Sequence, residues 1–253
     1  MSGDCAHPVD LNGDVGQQIG HDADLIPLLT SINVACGGHA GDAVTMRETV
    51  IAGRSHGVAV GAHPSYPDRE HFGRRALSLT DMEVEQAVLT QLRTLAEIAG
   101  LEGVRLGHVK PHGALYNVAA RDASVAAAIA RAVTLFDRSL VLVGLAGSES
   151  IRAADRAGLR TASEVFADRA YHSDGTLVPR EVAGAVIHDP RVIVPRAIRM
   201  VAHGYVTSVD GGDVAVRADT ICVHGDTADA PALAAALRAG LREAGIEVRT
   251  LFT

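Results

Sequence analysis

Short apolar runs that end in turn residues, each followed by a stretch of helical period, recur along most of this chain, and that alternation leaves few folds open to it. The runs lie at 7–11, 30–35, 58–62, 105–109, 140–145, 160–165 and 220–223, and helical patterns fill 43–56, 80–99, 122–136, 148–158 and 230–244. Strands alternating with helices build a parallel sheet, because parallel strands need a long crossover between them. The run at 140–145 is apolar throughout, as a strand covered on both faces should be. In the helix after Leu79, Thr80 and Glu83 have the spacing of a capping box, and Val84, Val88, Leu92 and Leu95 repeat on one face. A (β/α) barrel takes about 250 residues. The 253 residues here therefore read as a single barrel domain over 1–253, with 246–252 as a closing strand. The rhythm breaks over 170–215, where Gly and Pro are frequent. Residues 171–188 read as a long loop over the site, with a short strand at 214–216.

Composition excludes several classes of partner. A net charge of −7 argues against nucleic acid, which needs a basic face. No stretch reaches about 18 consecutive apolar residues, and the first residues lack a basic-then-apolar signal, so neither a membrane span nor export is expected. Cys5, Cys36 and Cys222 are odd in number and irregular in spacing, which points to a reducing, cytoplasmic setting. Aromatic residues make up only 3% and Trp is absent, too few for stacking platforms along a carbohydrate polymer or a single strand.

Ligands of parallel α/β folds bind at the carboxyl ends of the strands. The residues that follow each run should therefore converge: Asp10, Asn12 and Asp14; His39 and Asp42; His63; His108, Lys110 and His112; Ser148; Glu164, Asp168 and Arg169; His224 and Asp226. A lone His after a strand is more often packed than functional, but His recurs here at several equivalent positions. We take Asp10, Asp14, His39, His63, Lys110 and His112 as the acid–base set. Asn12, His108, Glu164, Asp168, Arg169, Arg180, His224 and Asp226 are taken as substrate-binding. Lys110 reads either as a cation for a substrate anion or as half of a structural ion pair. Asp and His in this number would also suit a divalent metal, but no local metal signature such as HExxH occurs and no residue is assigned as a ligand. Metal-free proton transfer is the other reading. Cys36 and Cys222 read as buried inert thiols. No phosphate-binding glycine motif is present.

The same stretches resemble the LamB/YcsF family of 5-oxoprolinase A subunits. The resemblance rests on DLNGDVG from Asp10, TSINVACGGHAGD from Thr30, GVAVGAHPSYPD from Gly57, FGRR from Phe72, HVKPHGALYN from His108, GLAGSE from Gly144, EVFADRAY from Glu164, DGTLVPR from Asp174 and CVHGD from Cys222. It implies a deformed (β/α) barrel of about seven strands, similar to those of polysaccharide deacetylases. It also implies a cytoplasmic hydrolase that opens 5-oxo-L-proline to L-glutamate, with ATP as co-substrate and subunits B and C as partners. The chain departs from the family pattern at Gly13, Gln17 and Gly38, where Cys, an acidic residue and an aromatic are usual. Two other readings are a metal-dependent deacetylase or amidohydrolase of a small N-acyl compound, and a non-catalytic binding subunit.

Overall fold

The computed structural model describes residues 7–19, 21–223 and 229–252. Seven parallel strands close into a barrel in the order β1 (Asp10–Val15), β2 (Ser31–Ala35), β3 (Ala59–His63), β4 (His108–Val109), β5 (Val141–Leu145), β6 (Arg160–Val165) and β9 (Thr220–Val223). Between the last two, β7 (Tyr205–Thr207) and β8 (Asp213–Ala215) form a separate antiparallel hairpin. Helices cover the outside: Ala43–Ser55, Asp81–Leu101, Gly113–Ala119, Ala123–Phe136, Glu149–Arg156, Pro190–His203 and Ala230–Glu243.

The strand period of two sorts the chemistry. On β1, Leu11 and Val15 point outward into the main apolar core under the helices, while Asp10, Asn12 and Asp14 share the inner face. Ile32 and Val34 pack outward from β2 as Ser31 and Asn33 turn in, and Val109 packs outward as His108 and Lys110 turn in. Barrel interiors are normally filled with branched apolar side chains. Among the described residues, Val141, Val143, Ala162 and Phe252 form such a plug, and much of the rest of the interior is polar. Gly61 makes room for this, since a Cβ there would collide with the His108 imidazole.

Several boundaries differ from the sequence reading. β1 begins at Asp10 and runs to Val15, so the polar stretch DLNGDV is the strand itself rather than its exit. Residues 246–252 add no barrel strand. They make one bridge, Val9 to Val248, and then insert Phe252 against His108, with ring centroids 4.1 Å apart. The helix Pro190–His203 lies within the stretch read as irregular. Asp189 caps its start, with Pro190 in the first turn, where a missing N–H costs nothing. The capping box of Thr80 and Glu83 is present. Residues 171–188 carry no helix or named strand, but two bridges, Arg169 to Val186 and Tyr171 to Leu177, tie the segment together.

Candidate active site

The inward groups stack in layers along the barrel. In the lowest, Asp10 accepts hydrogen bonds from the hydroxyls of Thr30 (2.7 Å), Ser31 (2.7 Å) and Thr220 (2.6 Å). Asp10 is fully buried. Burial pushes its carboxyl up to about 6 against the three hydroxyls that favour the charged form. It starts β1, four residues before Asp14, which is roughly 13 Å of strand. It does not line the cavity at the mouth.

The middle layer is a connected network. Asn12 donates to Glu164 Oε1 (2.9 Å) and to Thr220 Oγ1 (2.7 Å), and Asn33 donates to Asn12 Oδ1 (2.7 Å) and Asp14 Oδ1 (2.8 Å). His108 donates from Nε2 to Asn33 Oδ1 (2.8 Å), and burial holds its pKa down to about 3. Lys110 Nζ sits at 2.8 Å from Glu164 Oε1, 3.0 Å from Asp14 Oδ1, 3.1 Å from Asn12 Oδ1 and 3.1 Å from Cys222 Sγ. Burial alone would discharge the ammonium. The neighbouring carboxylates Asp14 and Glu164 outweigh it and hold the pKa well above the usual lysine value. Lys110 is thus the ion-paired centre of this network. Cys222 and Cys36 stay neutral thiols, both pushed up by burial, Cys36 to about 12.

The uppermost layer opens into a cavity of about 240 Å³. His63 donates from Nδ1 to the Lys110 carbonyl (2.7 Å), and His112 donates from Nε2 to the Phe72 carbonyl (3.0 Å). A carbonyl can only accept, so in the neutral rings His63 Nε2 and His112 Nδ1 carry lone pairs. Those two nitrogens face one another at 3.0 Å, with Asp14 Oδ2 at 3.3 Å from His63 Nε2. His39 stacks on His112 with centroids 3.7 Å apart and planes 8° from parallel, and its Nε2 meets the Gln17 amide at 3.1 Å. Burial keeps His112 down to about 3 and His39 well below the usual histidine range.

Residues 166–189 complete the mouth. Thr176, Leu177, Val178, Pro179, Arg180 and Glu181 line the cavity beside Arg169 and Phe166. Arg169 is held by its bond from Nη2 to the Val178 carbonyl (2.6 Å), and Arg196 in turn donates to the Arg169 carbonyl (2.8 Å). Burial, and after it the charge of Arg180, lower the Arg169 pKa.

Of the residues expected from sequence, Asp14, His63, Lys110, His112, Arg169 and Arg180 line this cavity, and His39 backs it. Asn12, His108 and Glu164 lie beneath, in the network under Lys110. Asp168 is buried and is not in the cavity lining. His224 and Asp226 lie outside the described residues. Sequence reasoning passed over Arg74, Tyr116, Asn117 and Arg121, which also line the cavity. Tyr116 stands four residues after His112, on the helix Gly113–Ala119, so helical spacing turns it to the same side.

The sequence profile of the LamB/YcsF family matches residues 9–253. The 5-oxoprolinase A subunit from Chloroflexus aggregans is 55% identical over 247 residues, spanning 96% of this chain and 98% of that protein. The crystal structure of a lactam utilization protein from Thermus thermophilus superposes with a TM-score of 0.90 at 48% identity, over 96% of this chain and 99% of the other. A family 4 carbohydrate esterase from Streptomyces lividans, solved with acetate, shares the fold at a TM-score of 0.51 and 14% identity, over 98% and 94% of the two chains.

Proposed function

The chain belongs to the LamB/YcsF family, and from that premise we propose that it is the A subunit of an ATP-dependent 5-oxoprolinase, opening the lactam of 5-oxo-L-proline to L-glutamate. The observation that carries this reading is that one cavity is lined by both kinds of group the substrate requires. Asp14, His63 and His112 supply proton-transfer chemistry, and Arg169 and Arg180 supply cations for a carboxylate. In this reading Lys110 does not meet the substrate. Asp14, Glu164 and Asn12 already occupy its ammonium, so it positions Asp14. Arg169, fixed by the Val178 carbonyl, takes the carboxylate instead.

Ring opening adds the oxygen of water to the carbonyl carbon, breaks the C–N bond and delivers a proton to the leaving amine. The bare nitrogens of His63 and His112 are suited to accept the water's proton and return one to the amine, because burial keeps His112 neutral at physiological pH. A lactam is stabilised by amide resonance, so ATP enters as co-substrate of the assembly to drive the step. The same reading makes subunits B and C the partners, places the assembly in the cytoplasm, and treats 1–253 as one barrel domain. In this reading Asp10 and His108 hold the floor of the site rather than reacting.

The test is glutamate release from 5-oxo-L-proline with ATP, with and without the cognate B and C subunits. Release is expected only in the full mixture. His112→Ala should lower kcat at least about 100-fold, the lower end of what a positioned acid–base group contributes, and Arg169→Leu should act mainly on KM. Full turnover by the His112→Ala assembly would remove the acid–base role, and no turnover by a folded wild-type assembly would remove the lactam reading.

A further inference from the structure

We infer that Arg74 is a further catalytic residue, whose guanidinium stabilises the negative charge that forms on the carbonyl oxygen of the substrate as water adds. This role rests on the lactam reading of the cavity. When water attacks, its proton passes to a bare histidine nitrogen and the π pair of the carbonyl moves onto oxygen. When the intermediate collapses, that pair re-forms the carbonyl, the C–N bond breaks with its electrons on nitrogen, and the histidine returns the proton there. The transient oxyanion calls for a donor that is fixed in place beforehand. Lys110 cannot serve, because Asp14, Glu164 and Asn12 already surround its ammonium.

Four arginines line the cavity, and their surroundings separate them. Arg169 is tied to the Val178 carbonyl, and after burial it is the charge of Arg180 that acts on it, so those two belong to the side that takes the carboxylate. The charge of Arg121 reaches Asp174, behind the hydrogen bonds from Thr176 that chiefly lower that carboxyl. The charge of Arg74 reaches His112, where it adds to the burial that chiefly keeps the ring neutral. Arg74 therefore stands on the side of the reacting nitrogens, where an oxyanion donor has to be.

The turn at Phe72 holds it there. The Arg74 guanidinium lies over the Phe72 ring, 5.2 Å from its centroid, within the range of a cation–π contact. The same ring meets His112 at 5.5 Å and His39 at 5.2 Å, close to perpendicular to both. Phe72 has φ 54°, and among the described residues Gln18 is the one other non-glycine with a positive φ. A bulky side chain enters that region only where its surroundings impose it, and such residues gather at functional sites. Here the strained turn delivers the Phe72 carbonyl to His112 Nε2 (3.0 Å). It also brings Gly73, at φ 65°, so close that a Cβ would stand 2.9 Å from His39 Cβ and 3.1 Å from His112 Cδ2. Three backbone bonds fix it: Gly73 N–H to the Asp68 carbonyl (2.7 Å), Arg74 N–H to the His71 carbonyl (3.0 Å) and Ala114 N–H to the Gly73 carbonyl (2.9 Å). One rigid turn thus orients the base through residue 72 and presents the cation from residue 74.

The experiment is steady-state glutamate release by the full assembly carrying Arg74→Ala, a change at an exposed side chain that leaves the core untouched. kcat should fall about 100- to 1000-fold, the cost of losing one oxyanion donor. KM should change by no more than about threefold, because the interaction forms only in the transition state. Arg74→Lys should recover part of the loss. Added methylguanidinium should restore turnover to Arg74→Ala and not to His112→Ala, a response that a purely structural role would not give. Arg75→Ala, at the exposed neighbour paired with Asp68 (3.6 Å), should stay within about threefold of wild type, as exposed substitutions outside a site do. The inference is overturned if Arg74→Ala keeps its kcat, if the loss falls on KM alone, or if neither lysine nor methylguanidinium recovers any activity. No turnover by the folded wild-type assembly would instead remove the lactam reading, and the role of Arg74 with it.

Discussion

Asp10 is the carboxylate whose burial has the plainest thermodynamic consequence. The folded barrel raises its pKa to about 6 from 3.8, with burial the largest cause. Between those values the folded state holds a proton that the unfolded chain has released. The contribution of Asp10 to stability is therefore full below pH 3.8 and is lost as pH rises through 6. At 1.36 kcal/mol per pKa unit, integration gives about 2.5 kcal/mol lost between pH 4 and pH 8. Asp10→Asn keeps the shape and cannot ionise. The hydroxyls of Thr30, Ser31 and Thr220 can each donate or accept, so the amide can still be accommodated among them. The stability of Asp10→Asn relative to wild type should then improve by about 2.5 kcal/mol from pH 4 to pH 8, or roughly 5–10 °C in melting temperature for a chain of this size. Using the difference between the two proteins cancels His39, His112 and every other shared titration. Thermal melts at the two pH values decide the matter. An unchanged difference would mean that Asp10 titrates alike in both states and that the three hydroxyls fully replace water around its charge.

Two further substitutions test the packing around the site. Lys110→Met strands Asp14 and Glu164 as buried carboxylates and should cost about 3–5 kcal/mol in denaturant unfolding. Adding Glu164→Gln should recover part of that loss, and equal instability of the single and double variants would contradict the pairing. A Cβ at Gly38 would collide with the Gln91 amide oxygen and come within 2.5 Å of Ser65 Oγ. Gly38→Ala should therefore cost about 1–3 kcal/mol. With Gln91→Ala in the same chain the costs should fall short of additive by more than about 0.5 kcal/mol; strict additivity would show that the two positions do not compete for the space.

The alternation of runs and helical stretches gave the barrel away because each strand must be apolar outward, toward its helices, whatever it carries inward. The inward face has no such constraint, and that is where the sequence reading went astray. Asp10, Asn12 and Asp14 look like the polar exit of a strand ending near Leu11. They are the inner face of β1, and the difference moves Asp10 from the mouth to the floor. Lys110 was readable as a cation in a polar cavity. Its partner Glu164 lies 54 residues further on, across the barrel, and no local pattern announces a pair at that separation. The arginines at the mouth were legible only in part. Arg169 follows the run at 160–165 and Arg180 sits in a segment whose length drew notice, whereas Arg74 and Arg121 flank loops and helix ends with nothing in their spacing to mark them.

The three departures from the family pattern separate once each side chain is placed. Gly13 faces away from the barrel interior, where a Cβ would press on Leu29 Cδ1 at 2.6 Å, so its identity bears on packing against that leucine. At Gly38, Gln91 fills the space a larger residue would occupy and clamps the backbone of Ser65, accepting from its N–H (3.0 Å) and donating to its carbonyl (2.8 Å). A glycine at 38 and a glutamine at 91 are therefore one feature, and neither touches the reacting groups. Gln17 differs from both: it lines the cavity and meets His39 at 3.1 Å. An acid at that position would add a charge beside a ring that burial otherwise keeps neutral. An amide gives His39 a hydrogen bond with no charge. Among the three, only Gln17 changes the electrostatics of the mouth, and it does so at His39.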